Sequence, residues 1–445
     1  MATLALQAIA YEPQNAGVSS GIDGLHSGET SVVAPQTSFD RCQGSGRNLP
    51  TARPFVVVLL RLGLIPALIA SICGCSLVPR DKFTAADMNA SEPLDAVQVR
   101  MWADAAPAAI SRLFGPAKGA KPACDMNFLA LSSGGSDGAF SAGLLKGWDD
   151  LGTRPQFDVV SGVSTGALIA PFAFLGRDYD GILQQTFGGQ LSENLNGLQR
   201  PIRGLMEGGL IDAQPLRRLI ERYTTADLLA RIATEHRRGR RLFVVTTNLD
   251  AQRAVLWNMG AIAASGRSGA RKLFQDVLLA SASVPAAYPP VMIAAAANGK
   301  SFKEMHVDGG ASTPIFALPE MLADASRTEA SCRRKSHLWL VINNTQPPEF
   351  EITANSSLSI ALRSYATLIK SETKGVVTSA FEASRRLGID FNVAYIDQAV
   401  GYDPAAPFRP EYMGKVFALG RSEAANGSVW HKSTTEMSNL IGKEM

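Results

Sequence analysis

The chain has 445 residues, 46% of them apolar, and its 43 Lys and Arg against 40 Asp and Glu leave a formal net charge of +3. That near-balance gives no reason to invoke nucleic acid, whose binders concentrate basic residues far more strongly. Basic runs such as His236–Arg241 read as solvated helix ends. The length is ample for a large core with a second subdomain, since single cores stop growing at about 250–300 residues.

Residues 1–54 are rich in Gly, Ser, Gln and Pro, lack sustained hydrophobic periodicity and read as a disordered or non-native extension. Residues 55–75 then bring an apolar segment behind a basic flank, interrupted by Arg61 and Pro66. Its longest charge-free part, Leu62 to Cys73, is shorter than the roughly 20 residues of a membrane span but suits a signal-peptide core. The segment closes on Ile72-Cys73-Gly74-Cys75, which resembles the lipobox of bacterial lipoproteins and implies lipid attachment at Cys75. The location expected from it is the bacterial cell envelope, at the outer membrane or periplasmic face. A plain cleaved signal and a tilted anchor over Phe55–Cys73 are the other readings. Processing would leave Cys124 and Cys332, which form a disulfide only if the fold brings them together. No Cys or His spacing suggests a metal site, and no cofactor is implied.

Residues 76–125 form a lead-in, with an amphipathic helix expected over Leu94–Ala106, ahead of Pro107. From Met126 the pattern alternates between strand and helix. Strands are expected at Met126–Leu131, Phe157–Ser161, Leu242–Thr247 and His337–Ile342. Helices are expected at Gly138–Leu151, Ser164–Leu175, Gln214–Arg222, Ala226–Arg237 and Ala270–Ser281. Continuous apolar strands separated by helices predict an α/β fold of three layers, with a mostly parallel central sheet between helices. The catalytic unit is expected over 126–345, and a mainly helical C-terminal portion, 346–445, packed on it. There Leu358, Leu362, Tyr365 and Ile369 share one helix face, read as core packing.

Three glycine-bearing motifs stand at element boundaries. Gly162-Val163-Ser164-Thr165-Gly166 falls where a strand gives way to a helix, the context in which a tight elbow lifts a serine hydroxyl out of the backbone. Upstream, Ser132-Ser133-Gly134-Gly135-Ser136-Asp137-Gly138 forms a glycine loop between strand and helix, whose free amides suit an oxyanion. A dinucleotide loop is the competing reading, but the next strand ends in the serine elbow rather than in an acidic residue. Downstream, Asp308-Gly309-Gly310 follows a short strand and by itself is an ordinary turn.

Together and in this order the three motifs resemble the patatin-like phospholipase family, over about residues 126–345. GGLIDAQPLRRLI (208–220) and the proline-bearing SASVPAAYPPV (281–291) look like the same family's pattern. The resemblance implies a Ser164–Asp308 catalytic dyad without an obligatory histidine. It also implies an oxyanion hole from Gly134, Gly135, Ser136 and Gly138, elbow glycines Gly162 and Gly166, and Gly309 and Gly310 behind the aspartate. The implied substrates are membrane lipids or other acyl esters. Asp137 departs from the family, which commonly has Arg or Lys there. An acid beside an oxyanion opposes the developing charge unless its side chain turns away. Two other readings remain: a Ser-Asp-His esterase using His337 or His431, and an inactive lipoprotein that binds lipid or a partner.

Overall fold

The computed structural model describes residues 80–94, 97–114, 125–189, 211–321, 335–346, 348–398, 400–401 and 408–435. All of them fall within one unit, Gly74–Met445. The expected extension, the lipobox with Cys75, the Cys124 and Cys332 pair and the segment 190–209 lie outside the described residues.

Five strands run parallel: β2 (Asp125–Leu131), β3 (Val159–Val163), β4 (Arg241–Asn248), β8 (Lys335–Thr345) and β9 (Asp390–Ile396), in the spatial order β4-β3-β2-β8-β9. Antiparallel strands extend the β4 side. There β5 (Arg253–Asn258) pairs with β4, and β1 (Arg100–Trp102) with β5. The hairpin of β6 (Val291–Ala297) and β7 (Lys300–Asp308) joins through β7 to the far end of β4.

Side-chain alternation sorts the core into two layers. Leu129, Leu131, Val160, Leu242 and Val244 face one hydrophobic cluster, while Phe128, Ala130, Val159, Phe243 and Val245 face the other. On the first face lie α3 (Ala139–Asp150), α4 (Thr165–Leu175), α5 (Asp180–Phe187), α6 (Gln214–Tyr223), α7 (Ala226–Arg237) and α9 (Ala270–Ser281). Helix α4, TGALIAPFAFL, is apolar all round and buried along nearly its whole length, as a helix between a sheet and further helices must be. The opposite face is covered by α2 (Pro107–Phe114) and by the second half of α10 (Ser357–Leu387), through Ile110, Val377 and Ala380. Helix α11 (Pro410–Ala425) crosses α3 closely. A Cβ at Gly143 or Gly147 would lie 2.8 Å from the carbonyl carbon of Phe417 or Arg421, so only glycine admits this backbone approach. The remaining short helices are α1 (Ala85–Asn89) and α8 (Met259–Ala264).

The α/β class and the mostly parallel sheet agree with the sequence reading, but elements differ: β5, β6, α5 and α8 are additional to those expected, and three further departures have identifiable causes. Among the described residues of Leu94–Ala106 no helix forms; Arg100–Trp102 is strand β1, and the helix starts at Pro107, a residue suited to a first helical turn. Its partners decide this, because Arg100 and Trp102 pair in register with Trp257 and Val255 of β5. The second strand occupies Val159–Val163 rather than Phe157–Ser161, so it runs directly into the elbow. The mainly helical C-terminal portion also contributes β9, DFNVAYI, whose first four residues alternate polar and apolar and which pairs with β8.

Arg100 also anchors a buried polar network on the antiparallel side. Its guanidinium donates to both carboxylate oxygens of Glu304, at 2.6 and 2.9 Å, and Asn248 Nδ2 donates to Glu304 Oε2 at 3.0 Å. Burial raises the Glu304 pKa, but the Arg100 hydrogen bonds, His306 and the Arg100 charge outweigh it and hold the carboxyl at about 2. A depressed native pKa contributes stability that is present above the unfolded value near 4.5 and lost as pH falls through about 2. Replacing Arg100 by Ala leaves a buried carboxylate unpaired, and is expected to lower unfolding free energy by about 3–5 kcal/mol at pH 7 in urea titrations. At pH 2 the difference from wild type should shrink.

Candidate active site

Strand β3 ends at Val163, paired with Val245, and the chain leaves the sheet at Ser164 with φ 55° and ψ −121°. This conformation strains a residue with a Cβ by about 1–3 kcal/mol, so surrounding contacts must impose it. Gly162 and Gly166 make the turn sterically possible. A Cβ at Gly162 would sit 2.6 Å from the Gly166 carbonyl carbon, and one at Gly166 would sit 2.7 Å from Ser132 O. The Ser164 amide donates to Ser281 Oγ at 3.0 Å, and that hydroxyl donates to Val245 O at 2.7 Å. Ser281 closes α9 and thereby ties the elbow to β4.

Because β4 continues past the end of β3, its exposed edge is taken by β7, with Thr246 opposite Asp308. The aspartate therefore occupies the line that β3 has vacated. Ser164 Oγ donates to Asp308 Oδ2 at 2.6 Å, and the Gly310 amide donates to Oδ1 at 2.7 Å. The Asp308 backbone is held as well, by N–H donation to Ser283 O at 2.9 Å and by Thr247 Oγ1 donating to its carbonyl at 2.9 Å. At 1% exposure the carboxyl is cut off from water, and burial pushes its pKa up to about 7 against the Ser164, Gly310 and Tyr365 groups that hold it down. Gly309 has no room for a side chain, since a Cβ would meet Val163 Cγ1 at 2.9 Å.

The glycine loop arrives from β2. Gly135, at φ 57°, opens a short helical turn, Gly135–Gly138, that leads into α3. As the first residues of a turn, Gly135 and Ser136 carry N–H groups the turn itself cannot satisfy. Gly135 lines the same cleft as Ser164, which places these donors beside the hydroxyl. Gly138 packs on Thr165, the first residue of α4, where a Cβ would lie 2.7 Å from Thr165 Cγ2. Gly134 is pressed against Asn343 of β8. Asn343 Nδ2 donates to Ser132 O at 2.8 Å, and its Oδ1 accepts from Ser141 Oγ at 2.6 Å. One buried amide thus clamps both ends of the loop.

Asp137 finds its partner in the C-terminal portion. Its Oδ1 accepts from the Tyr412 hydroxyl of α11 at 2.7 Å, and burial pushes its pKa up to about 7, opposed by that hydrogen bond. The glycine loop therefore carries less than a full carboxylate charge at and below neutral pH.

Beside the hydroxyl lies an apolar cleft walled by Leu168, Phe187, Leu216, Leu219 and Met413. A second apolar space, bounded in addition by Pro171 and Phe172, shares Leu168, Thr186, Phe187 and Leu219 with the first. The two run on between α4, α5 and α6 and suit a long apolar chain.

The structure brings Ser164, Asp308, Gly162, Gly166, Gly309, Gly310 and the loop of Gly134, Gly135, Ser136 and Gly138 to one place. It does not bring His337 or His431 there. His337 opens β8, opposite Asn127 near the start of β2, and hydrogen-bonds Asp390 at 2.9 Å. It therefore lies at the other end of the strands from Ser164. His431 stacks on Tyr395 of β9, three strand positions from β3 and so about 14 Å across the sheet. Among the described residues no cluster of His, Cys, Asp and Glu could hold a metal.

Asn343 and Tyr365 carry no motif, and Ser281, the first residue of the SASVPAAYPPV block, carries no role that the block itself suggests. Tyr365 reads as core in the helical stripe, yet its hydroxyl and Asp308 Oδ1 would each lie 3.0 Å from a Cβ at Gly310. That hydroxyl is buried and makes no hydrogen bond of good geometry. Its only advance signal was the shared helix face.

A strand-to-helix serine elbow, a buried carboxylate and a glycine loop stand together beside an apolar cleft in an α/β protein, an arrangement that acyl-transfer chemistry can use. Residues 129–319 match the family model described as Patatin-like phospholipase, and the chain carries a domain of that family. Among solved structures, VipD from Legionella pneumophila matches at 13% identity over 68% of this chain and 67% of that one, with a TM-score of 0.29, at which the likeness carries no argument. No curated protein matches the chain.

Asn343→Ala should leave the Ser132 carbonyl and Ser141 hydroxyl without their partner, and lower stability by about 1–3 kcal/mol in thermal or urea unfolding. Loosening the loop should also lower kcat more than it raises KM.

Proposed function

We propose that the protein is a lipid acyl hydrolase that cleaves carboxylic esters of membrane lipids, with Ser164 as nucleophile and Asp308 as its base. The observation that carries this reading is the 2.6 Å hydrogen bond from the Ser164 hydroxyl to a buried Asp308, beside a cleft with an apolar lining.

A carboxylate of ordinary pKa is a weak base for serine, and the raised Asp308 value near 7 narrows that mismatch. Ser164 Oγ attacks the ester carbonyl while its proton passes to Asp308. The carbonyl oxygen gains negative charge and turns to the amides of the Gly134–Gly138 loop. The Ser164 amide is already spent on Ser281, so the loop must supply these donors. Collapse of the tetrahedral intermediate returns the proton to the departing alcohol and leaves an acyl-serine. Water, deprotonated by Asp308, then releases the fatty acid. The apolar cleft takes the acyl chain, and the helix dipole of α4 assists charge at its N-terminus. Asp137 supports turnover rather than an inactive scaffold, because its side chain is directed to Tyr412. We further propose attachment to the envelope membrane through lipid on Cys75, on the lipobox resemblance.

Ser164→Ala should lower hydrolysis of a chromogenic acyl ester by about 10³-fold or more, and should abolish labelling by a fluorophosphonate probe. Retained turnover would remove Ser164 from the chemistry.

The base must be ionised, so kcat/KM is expected to rise with pH through about 7 and level off above it. Asp137→Asn should leave that limb in place, which separates it from the other carboxyl near 7. Asp308→Asn should abolish turnover while raising the thermal midpoint at pH 8. The native pKa lies above the unfolded 3.8, so stability from this group is full below that value and lost as pH rises through about 7.

A further inference from the structure

The large apolar side chains left exposed are unevenly distributed. Phe350 is 79% exposed, Ile352 84%, Ile360 49% and Leu368 67%, all within the stretch from the end of β8 into the first half of α10. The connecting loop is fixed beside the helix by two ion pairs. Arg363 of α10 bonds Glu351 at 3.2 Å, and Lys370, two turns on along the same face, bonds Glu349 at 3.4 Å. Phe350 and Ile352 flank these anchors and are thereby held out alongside the exposed face that carries Ile360.

The opposite face of the same helical turns belongs to the site. Tyr365 reaches toward Asp308, and Ile369 Cδ1 would lie 2.7 Å from a Cβ at Gly310. One stretch of α10 thus has its inner face on the proposed base and its outer face in water, with apolar groups exposed on it.

We infer that this outer face, Phe350, Ile352, Ile360 and Leu368, is the surface by which the enzyme settles on an uncharged lipid surface. Choice of this occupant rests on the lipid-hydrolase reading and on charge. From Thr353 to Ile369 the only ionised side chain is Arg363, and Glu351 neutralises it. The exposed polar positions in that stretch are small and neutral, among them Asn355, Ser364 and Thr367; Lys370 beyond it is paired with Glu349, and the exposed Glu372 and Lys374 follow further along the helix. Between Thr353 and Ile369 such a surface offers little to an acidic or basic partner, whereas bulky apolar groups among small neutral ones insert between zwitterionic headgroups. Docking there would set the catalytic serine close to the layer holding its substrate.

The test uses the full chain and vesicles of phosphatidylcholine. In an Ile352→Trp variant, the added emission should shift to the blue on mixing with vesicles and be quenched by brominated acyl chains. That probe reports the patch itself, whatever the N-terminal segment does. Phe350→Ser/Ile352→Ser should keep wild-type turnover of a soluble chromogenic ester and lose on the order of 100-fold in turnover of vesicle lipid. Raising salt to about 1 M should change neither readout, because no charge is engaged.

An Ile352→Trp signal indifferent to vesicles would overturn the proposal. So would wild-type vesicle turnover in the double variant, or a requirement for anionic lipid. A wild-type dimer that the double variant converts to monomer would assign the face to a second copy instead. Failure to hydrolyse even the soluble ester would sink the enzyme reading alone, since the tryptophan still reports docking.

Discussion

The geometry of the site follows from one inequality of strand length. Strand β4 runs three residues beyond the last residue of β3 paired with it, and the chain of β3 leaves the sheet at that level. Hydrogen-bonding groups on the uncovered edge of β4 must find partners. Strand β7 supplies them, entering antiparallel with Asp308 opposite Thr246. The hydroxyl lifted out by the departing strand and the carboxyl carried in by the arriving one meet because both answer to the same edge. Ser281 and Ser283 reinforce this: the first holds the Ser164 amide, and the carbonyl of the second holds the amide of Asp308.

Burial then gives the two acids near the glycine loop different work. Asp308 and Asp137 are both raised to about 7 by desolvation, so the difference lies in what faces them. Asp308 faces a serine hydroxyl and a single amide, which leaves it able to take a proton. Asp137 faces a tyrosine hydroxyl on α11, outside the proposed reaction. The departure from the family pattern at position 137 is therefore accommodated by a partner from the C-terminal portion, 275 residues away in the chain.

Much of this was legible in the sequence where a backbone constraint forces a residue type. Gly162, Gly166, Gly138 and Gly309 could be read because close backbone approach excludes every other side chain. Helices α6, α7 and α9 could be read from their periodicity. Strand β1 could not, because three residues carry no period; their pairing with β5 and the reach of Arg100 to Glu304 decide them. Strand β9 alternates only over Asp390–Val393, too short a run to stand out after the long helix that precedes it. Asn343 and Ser281 are ordinary polar residues by composition, and only their burial against the loop and the elbow makes them matter.

The sequence alone determined the α/β class, the strand-to-helix position of Ser164 and the presence of three glycine-bearing turns, because these depend on local sterics and on hydrophobic period. The tertiary structure alone decided which acid stands at hydrogen-bond distance from the serine, that neither His337 nor His431 does, and where Asp137 points. Those are contacts between residues 144 and 275 positions apart, set by strand order and register, and no local pattern encodes a register.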